Sequence, residues 1–222
     1  MLYTLQQVKD NLRNRDGKRV FYLGKADQLT SEAKDFLTRE RIEILPGSAA
    51  RPQRYQLLGG GYMEEKPEHM THLNGEFLVE KTHPRIAFRG AVDLLEAELL
   101  LAMGQLPQVK GELQEVLALA RKLIACDVLE QPVPEETLGG LSEGELRKRS
   151  HFPQAYYDKP HFMPQPEDSQ AVLLLNRLRS LVRQTELKAV AAFPQRPDII
   201  RALNRMSSFL YILMLKEKYI LS

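Results

Sequence analysis

The sequence predicts a mainly α protein, a helical bundle of four or five helices behind a small N-terminal α/β module. Three observations predict it. From Pro84 onward, apolar residues recur at three- and four-residue spacing over long segments, the period of amphipathic helices. Runs of β character, Arg19-Val-Phe-Tyr-Leu23 and Ile42-Glu-Ile-Leu45, fall before residue 46. Between these regions lie Pro46-Gly-Ser-Ala-Ala-Arg-Pro52 and Gly59-Gly-Gly61, whose composition marks a linker. The chain therefore divides into residues 1–62, module and linker, and residues 63–222, the bundle.

In chain order, Leu2 to Asn14 reads as a short helix and Arg19 to Leu23 as a strand. Thr30 or Ser31 caps a helix to about Arg41, with Glu32 in its first turn. Ile42 to Leu45 is a second strand. This αβαβ pattern has too little apolar surface for a robust core of its own, so an accessory module docked on the rest is expected. Pro84 suits the entry of a helix running from Arg85 to Met103, and a second helix spans Gln108 to Cys126. Pro132, Pro134, Gly139 and Gly140 interrupt the pattern before a short helix from Ser142 to Lys148. Four prolines make Ser150 to Glu167 a structured crossing loop, a kind of segment that often carries function. A long helix covers Asp168 to Phe193. A last one starts at Pro197, with Asp198 in its first turn, and ends near Tyr219.

A chain of 222 residues is long enough for a real core, and a net charge of +2 does not by itself point to nucleic acid or a membrane surface. The single cysteine, Cys126, excludes an internal disulfide and a cysteine-rich metal site, and its apolar neighbours make it a buried structural thiol. The N-terminus lacks a basic segment followed by an apolar run, and Lys216-Glu-Lys218 stops the apolar stretch Ser208 to Leu215 well short of a membrane span. A soluble cytoplasmic protein is expected.

Lys81 lies on the loop that feeds the helix after Pro84, and Asp93 lies inside that helix. Arg179, Arg183 and Glu186 are spaced four and three apart, on one helical face. A lysine, two arginines and a carboxylate converging from two helices suit a polyphosphate with its metal ion. The same face can equally be a solvated salt-bridged surface. Asp93, amid Val92, Leu94 and Leu95, calls for a partner, and an arginine from a neighbouring helix or subunit is a reasonable one. His69-Met-Thr-His72 together with His83 is a weak candidate metal site, the alternative being surface or nucleotide-contacting histidines. His151, Tyr156, Tyr157, His161 and Phe162 read either as a lid or as loop packing.

Several motifs together carry a more specific signal. Lys66-Pro-Glu-His-Met-Thr-His-Leu73 followed by Lys81-Thr-His-Pro-Arg-Ile-Ala-Phe-Arg-Gly-Ala-Val-Asp93 resembles the signature of corrinoid adenosyltransferases, most closely the ethanolamine-utilisation type. Gly140-Leu-Ser-Glu-Gly-Glu-Leu146 with Ser150-His151 is similar to that branch. So are Leu175-Asn-Arg-Leu-Arg-Ser-Leu-Val-Arg-Gln-Thr-Glu186, Arg196-Pro-Asp-Ile-Ile-Arg-Ala-Leu-Asn-Arg-Met-Ser-Ser208 and, in the N-terminal module, Leu29-Thr-Ser-Glu-Ala-Lys-Asp35. The resemblance implies an ATP:corrinoid adenosyltransferase that moves the 5′-deoxyadenosyl group of ATP onto the cobalt of reduced cobalamin. The resemblance further implies that the adenosylcobalamin serves ethanolamine ammonia lyase, the partner being that lyase or its reactivating system, in or near a bacterial microcompartment.

Carried over by position, the resemblance makes Lys81 a phosphate-binding lysine, Arg179 and Arg183 the two helix arginines, and Glu186 the carboxylate supporting ATP and Mg2+. Asp93 becomes an acid that pairs with Arg179 across a subunit boundary. Asn204 becomes a nucleotide-contacting asparagine, while Thr71 and His72 lie where family members meet the phosphates. Phe88 and Phe209 are loose candidates for the corrin face. A homo-oligomer is implied, a trimer or else a dimer. One departure stands out. Some ethanolamine-type members carry a histidine and a CCxxC metal motif just upstream, where this chain has Tyr55-Gln-Leu-Leu-Gly-Gly-Gly-Tyr62, so no cysteine-bound metal is expected. Two other readings stand beside the enzyme: a non-catalytic corrinoid or nucleotide carrier or scaffold that keeps the bundle, and an enzyme that transfers phosphate instead.

Overall fold

The computed structural model describes residues 1–15, 18–47, 55–63, 65–75 and 77–219. The chain forms two compact units, Met1–Lys66 and Pro67–Ser222. In the first, strand β1 (Leu2–Tyr3) precedes helix α1 (Leu5–Asp10), which ends before strand β2 (Arg13–Arg15). The single helix expected over Leu2 to Asn14 is therefore three elements. Thr4 and Gln7 form a capping box that starts α1 at Leu5, and Asn11 closes it. Strand β3 (Lys18–Gly24) runs antiparallel to β2 and parallel to β5 (Glu43–Gly47), while β1 pairs with β4 (Gln28–Leu29). Helix α2 (Ser31–Arg39) makes the crossover, and Thr30 caps it by accepting from the Ala33 amide.

Tyr3, Val8, Phe21, Phe36 and Leu37 form the core of this unit. Pro46 and Gly47 belong to β5 rather than to a linker. Residues 48–54 of the expected linker lie outside the described residues. The three glycines turn a hairpin between β6 (Tyr55–Leu57) and β7 (Tyr62–Met63), with Gly60 and Gly61 at φ 94° and 92°, where a side chain would be strained.

The second unit opens on an antiparallel hairpin, β8 (Met70–His72) and β9 (Phe77–Glu80), where the sequence reading placed only the loop that feeds the next helix. Helix α3 (Pro84–Gln105) follows, then a 3₁₀ turn at Pro107–Val109 and helix α4 (Lys110–Val128). Ser142 and Glu145 form a capping box on α5 (Glu143–His151). Pro153 opens a short α6 (Pro153–Tyr157) inside the expected crossing loop. Helices α7 (Gln170–Ala192) and α8 (Pro197–Tyr219) complete the bundle.

Helix α7 packs between α3 and α8, α4 lies against α3, and α5 against α8. The central helix is α8, whose Ile199, Leu203, Met206, Leu210 and Leu213 are at most 1% exposed. Truncating any of these to alanine carries the cost of a core cavity, about 2–5 kcal/mol. Cys126 is buried, its thiol facing the Pro132 carbonyl at 3.6 Å. No helix among the described residues is long and apolar enough to cross a membrane.

Candidate functional site

An open cleft of about 620 Å3 lies between α5, α7, α8 and the segment after α6. Four arginines line it: Arg147 from α5, Arg179 and Arg183 from α7, and Arg205 from α8. No aspartate or glutamate is among its lining residues. Elsewhere in the unit, arginines are engaged by carboxylates: Arg121 by Glu96, Arg177 by Glu98, Arg196 by Asp198 and Arg149 by Glu145. The cleft arginines have no ion pair among the described residues. Four uncompensated guanidiniums around one hollow form a site for an anion of high charge, because each offers a planar fork of donors to phosphate oxygens.

The spacing along α7 puts Arg179 and Arg183 one turn apart on a common face. Arg179 stacks over the Tyr211 ring, 5.6 Å from its centroid. Burial, and then the charge of Arg183, lower its pKa, though a guanidinium stays charged at any physiological pH. Such like-charge crowding is unfavourable until an anion enters. On α8, Arg205 reaches the Asn204 side-chain oxygen at 3.4 Å, while its Nε is buried without a hydrogen-bond partner among the described residues. Asn204 donates to Glu186 at 3.1 Å, so Glu186 meets the cleft only through Asn204.

A strap of chain after α6 closes one side. The Phe162 amide donates to the Tyr211 hydroxyl (3.3 Å), and His161 Nδ1 lies 3.0 Å from the same oxygen. His161 Nε2 faces the His151 carbonyl at 3.0 Å. A carbonyl can only accept, so Nε2 carries a hydrogen toward it. Burial raises the Tyr211 pKa, with the Phe162 amide and Arg179 opposing it, so the phenol keeps its proton. Lys218 and Asp168 pair at 2.5 Å at the far end of the strap.

The other expected site residues gather elsewhere in the unit. Thr71 and His72 sit on β8, half-buried and exposed respectively, and Lys81 is exposed just past β9, its ammonium 4.0 Å from Glu68. A buried carboxylate holds this hairpin in place. Asp127, 1% exposed at the end of α4, receives Arg85 at 2.7 Å and Arg89 at 2.7 Å. Arg89 also donates to the Leu73 carbonyl at 2.6 Å, one residue from His72. None of Thr71, His72, Lys81 and Asp93 lines the arginine cleft of the same chain.

Several expectations require correction. Phe88 and Phe209 are 0% and 1% exposed. Phe88 packs edge-on against Phe193, and Phe209 fills the space beside Gly139, so neither offers a face to a corrin ring. Asp93 is exposed, so water solvates it and its apolar neighbours in sequence do not force a partner upon it. His83 is the N-cap of α3, its Nδ1 accepting from the Arg85 amide at 3.2 Å. His69, His72 and His83 form no metal-ligand cluster, and no group of three His, Cys, Asp or Glu among the described residues is placed to hold a metal.

Sequence reasoning missed Arg147, Arg205 and Tyr211. The signal for the last two was a polar breach in an apolar helix, with Asn204-Arg205, Ser208 and Tyr211 recurring at three- and four-residue spacing.

The sequence pattern of the family described as cobalamin adenosyltransferase matches residues 61–217. The chain is 33% identical over 181 residues to the corrinoid adenosyltransferase EutT of Salmonella typhimurium (strain LT2), an alignment spanning 78% of this chain and 68% of that protein. Identity and coverage are the same for the corrinoid adenosyltransferase EutT of Escherichia coli (strain K12).

Proposed function

The chain belongs to the cobalamin adenosyltransferase family, and from that premise we propose that it transfers the 5′-deoxyadenosyl group of ATP to the cobalt of reduced cobalamin, making adenosylcobalamin. The observation that carries the reading is the cleft of four guanidiniums with no carboxylate in its lining. In this reaction cobalt(I) attacks the ribose 5′ carbon, the carbon–oxygen bond breaks, and the triphosphate leaves with the electron pair. Negative charge builds on the departing oxygen, and preorganised cations lower that barrier. A metal-centred nucleophile carries no proton, so the chemistry asks for no general base. Arg179 and Arg183 hold the phosphate chain from α7. Asn204, held by Glu186, offers its remaining capacity to the nucleoside.

Magnesium finds no cage of carboxylates among the described residues. Its anchor in this reading is ATP's own phosphates, the usual manner for an ion that keeps most of its waters.

Thr71, His72 and Lys81 belong to the site in this reading through a second subunit. Leu94 and Leu101 on α3 and Leu187 and Val190 on α7 are 47% exposed or more, and Asp93 is exposed too. In this reading a second copy of the chain covers these side chains and brings Thr71, His72 and Lys81 to a neighbour's cleft and Asp93 to its Arg179. The assembly is a trimer or a dimer. Ethanolamine ammonia lyase, in or beside a bacterial microcompartment, is the consumer of the product.

The test is anaerobic incubation of the protein with Mg-ATP and chemically reduced cob(I)alamin, followed in the visible spectrum. A light-sensitive cobalt–carbon species should form. Arg183→Ala, a change at an exposed position, should slow it by about 100-fold or more. ATP or corrinoid binding without product would sink the enzyme reading in favour of a carrier.

A further inference from the structure

The segment joining α4 to α7 need only cross the bundle, yet it supplies Arg147, Ser150, His151, His161 and Phe162 to the arginine cleft. We infer that this segment is a working wall of the anion site, and that Arg147 is the group by which the site distinguishes a triphosphate chain from a shorter one. The inference rests on the reading of the cleft as the seat of ATP's phosphates.

Three features of α5 lead there. Its frame is rigid: the Ser142–Glu145 capping box fixes its start, and Leu146, 1% exposed, seats it in the core. Its end is tied to the strap, because the Arg147 carbonyl meets Ser150 Oγ at 3.2 Å and His151 Nδ1 at 2.8 Å, while the His151 carbonyl holds His161. And its charges are sorted. Arg149 is occupied by Glu145 and lies over the Tyr156 ring, and Lys148 is not part of the cleft lining. Arg147 alone of the three lines the cleft, exposed and without an ion pair among the described residues.

A guanidinium fork engages two oxygens of one phosphoryl group at a time. The α7 pair, one turn apart, covers two neighbouring phosphoryls, and Arg205 is turned toward Asn204. A third phosphoryl, which carries the highest charge at the end of the chain, needs a donor from another wall, and α5 provides it.

Calorimetric titration of the full chain with inorganic tripolyphosphate and with pyrophosphate separates this from a general charge effect. Arg147→Gln should weaken tripolyphosphate by about tenfold while leaving pyrophosphate within about twofold. Lys148→Gln should leave both within about twofold, since an exposed charge outside the cleft is screened. Equal weakening of both anions by Arg147→Gln, or of neither, would overturn the inference. Adenosyl transfer by the unaltered protein reports separately on the reading beneath it. Loss of chain-length preference in Arg147→Gln, with no cobalt–carbon product from the unaltered protein, keeps the anion wall and removes the enzyme.

Discussion

Replacing Asp127 with alanine should be among the most damaging single changes in the bundle. Its carboxylate is fully enclosed, while the side chains of Arg85 and Arg89 that close on it are 19% and 20% exposed. Both ends of the clamp oppose their helices: an acid in the last turn of α4 and a base in the first turn of α3 each face the wrong pole of the helix dipole. Each is tolerable only because the other is there. Deleting one partner of such a buried pair costs about 3–5 kcal/mol, since two largely buried guanidiniums lose their enclosed carboxylate and only the exposed Glu130, 3.9 Å away, is left to Arg85. For a unit of this size that corresponds to a fall of roughly 6–20 °C in the unfolding midpoint.

Circular dichroism at 222 nm follows the transition. Hydrogen exchange should show the β8–β9 amides opening first, because Arg89 no longer holds the Leu73 carbonyl. The triple variant R85M/R89M/D127L removes every charge together and should recover much of the loss, as apolar replacement of a whole buried cluster is close to neutral. A midpoint within about 2 °C of the unaltered protein for Asp127→Ala would refute the argument, because it would mean that the two guanidiniums find other partners at no cost.

Two further outcomes follow from particular contacts. Gly139 sits at φ 59°, and a Cβ there would stand 2.6 Å from the Phe209 ring, so Gly139→Ala should destabilise by about 1–3 kcal/mol in urea denaturation; an unchanged midpoint would show that the ring moves freely. Arg196 and the Val133 amide hold the Asp198 carboxyl well below the usual carboxylate range. The unfolded chain therefore takes up a proton there before the folded one does, so this stabilisation is complete above about pH 4 and drains away as pH falls further. Asp198→Asn should flatten that acid limb, and a limb of unchanged slope would assign it to other groups.

What the sequence revealed follows physical range. Helices α3, α4, α7 and α8 were legible because a twenty-residue apolar stripe repeats its message several times and proline marks two of the starts. A cap at Thr30 or Ser31, and a short helix starting near Ser142, were legible because a helix start is a local signal; Thr30 is the cap, and Ser142 caps the helix that follows it. Strands β8 and β9 were not: three or four residues hold too few periods, and they become strands by pairing with each other. In the cleft, Arg179, Arg183 and Asn204 were found, but Arg147 sits in a run of charge whose sorting depends on which side the helix packs. Phe88 and Phe209 were misread because an aromatic residue on an apolar helix satisfies the core as readily as a ligand. Only burial separates the two.

The arginine cleft is built by stretches of a single chain, from α5 through α8. In the proposed reading a lone protomer would thus hold a polyphosphate through its own four arginines, so some capture of the anion should survive without association. Lys81, Thr71 and His72, borrowed from a neighbour in that reading, would add both to the affinity and to the chemical step. Dilution then becomes a dissecting tool, since turnover would fall with subunit dissociation while the protomer's own share of anion binding persisted. The bound anion, meanwhile, would stabilise the folded protomer in proportion to the logarithm of its concentration.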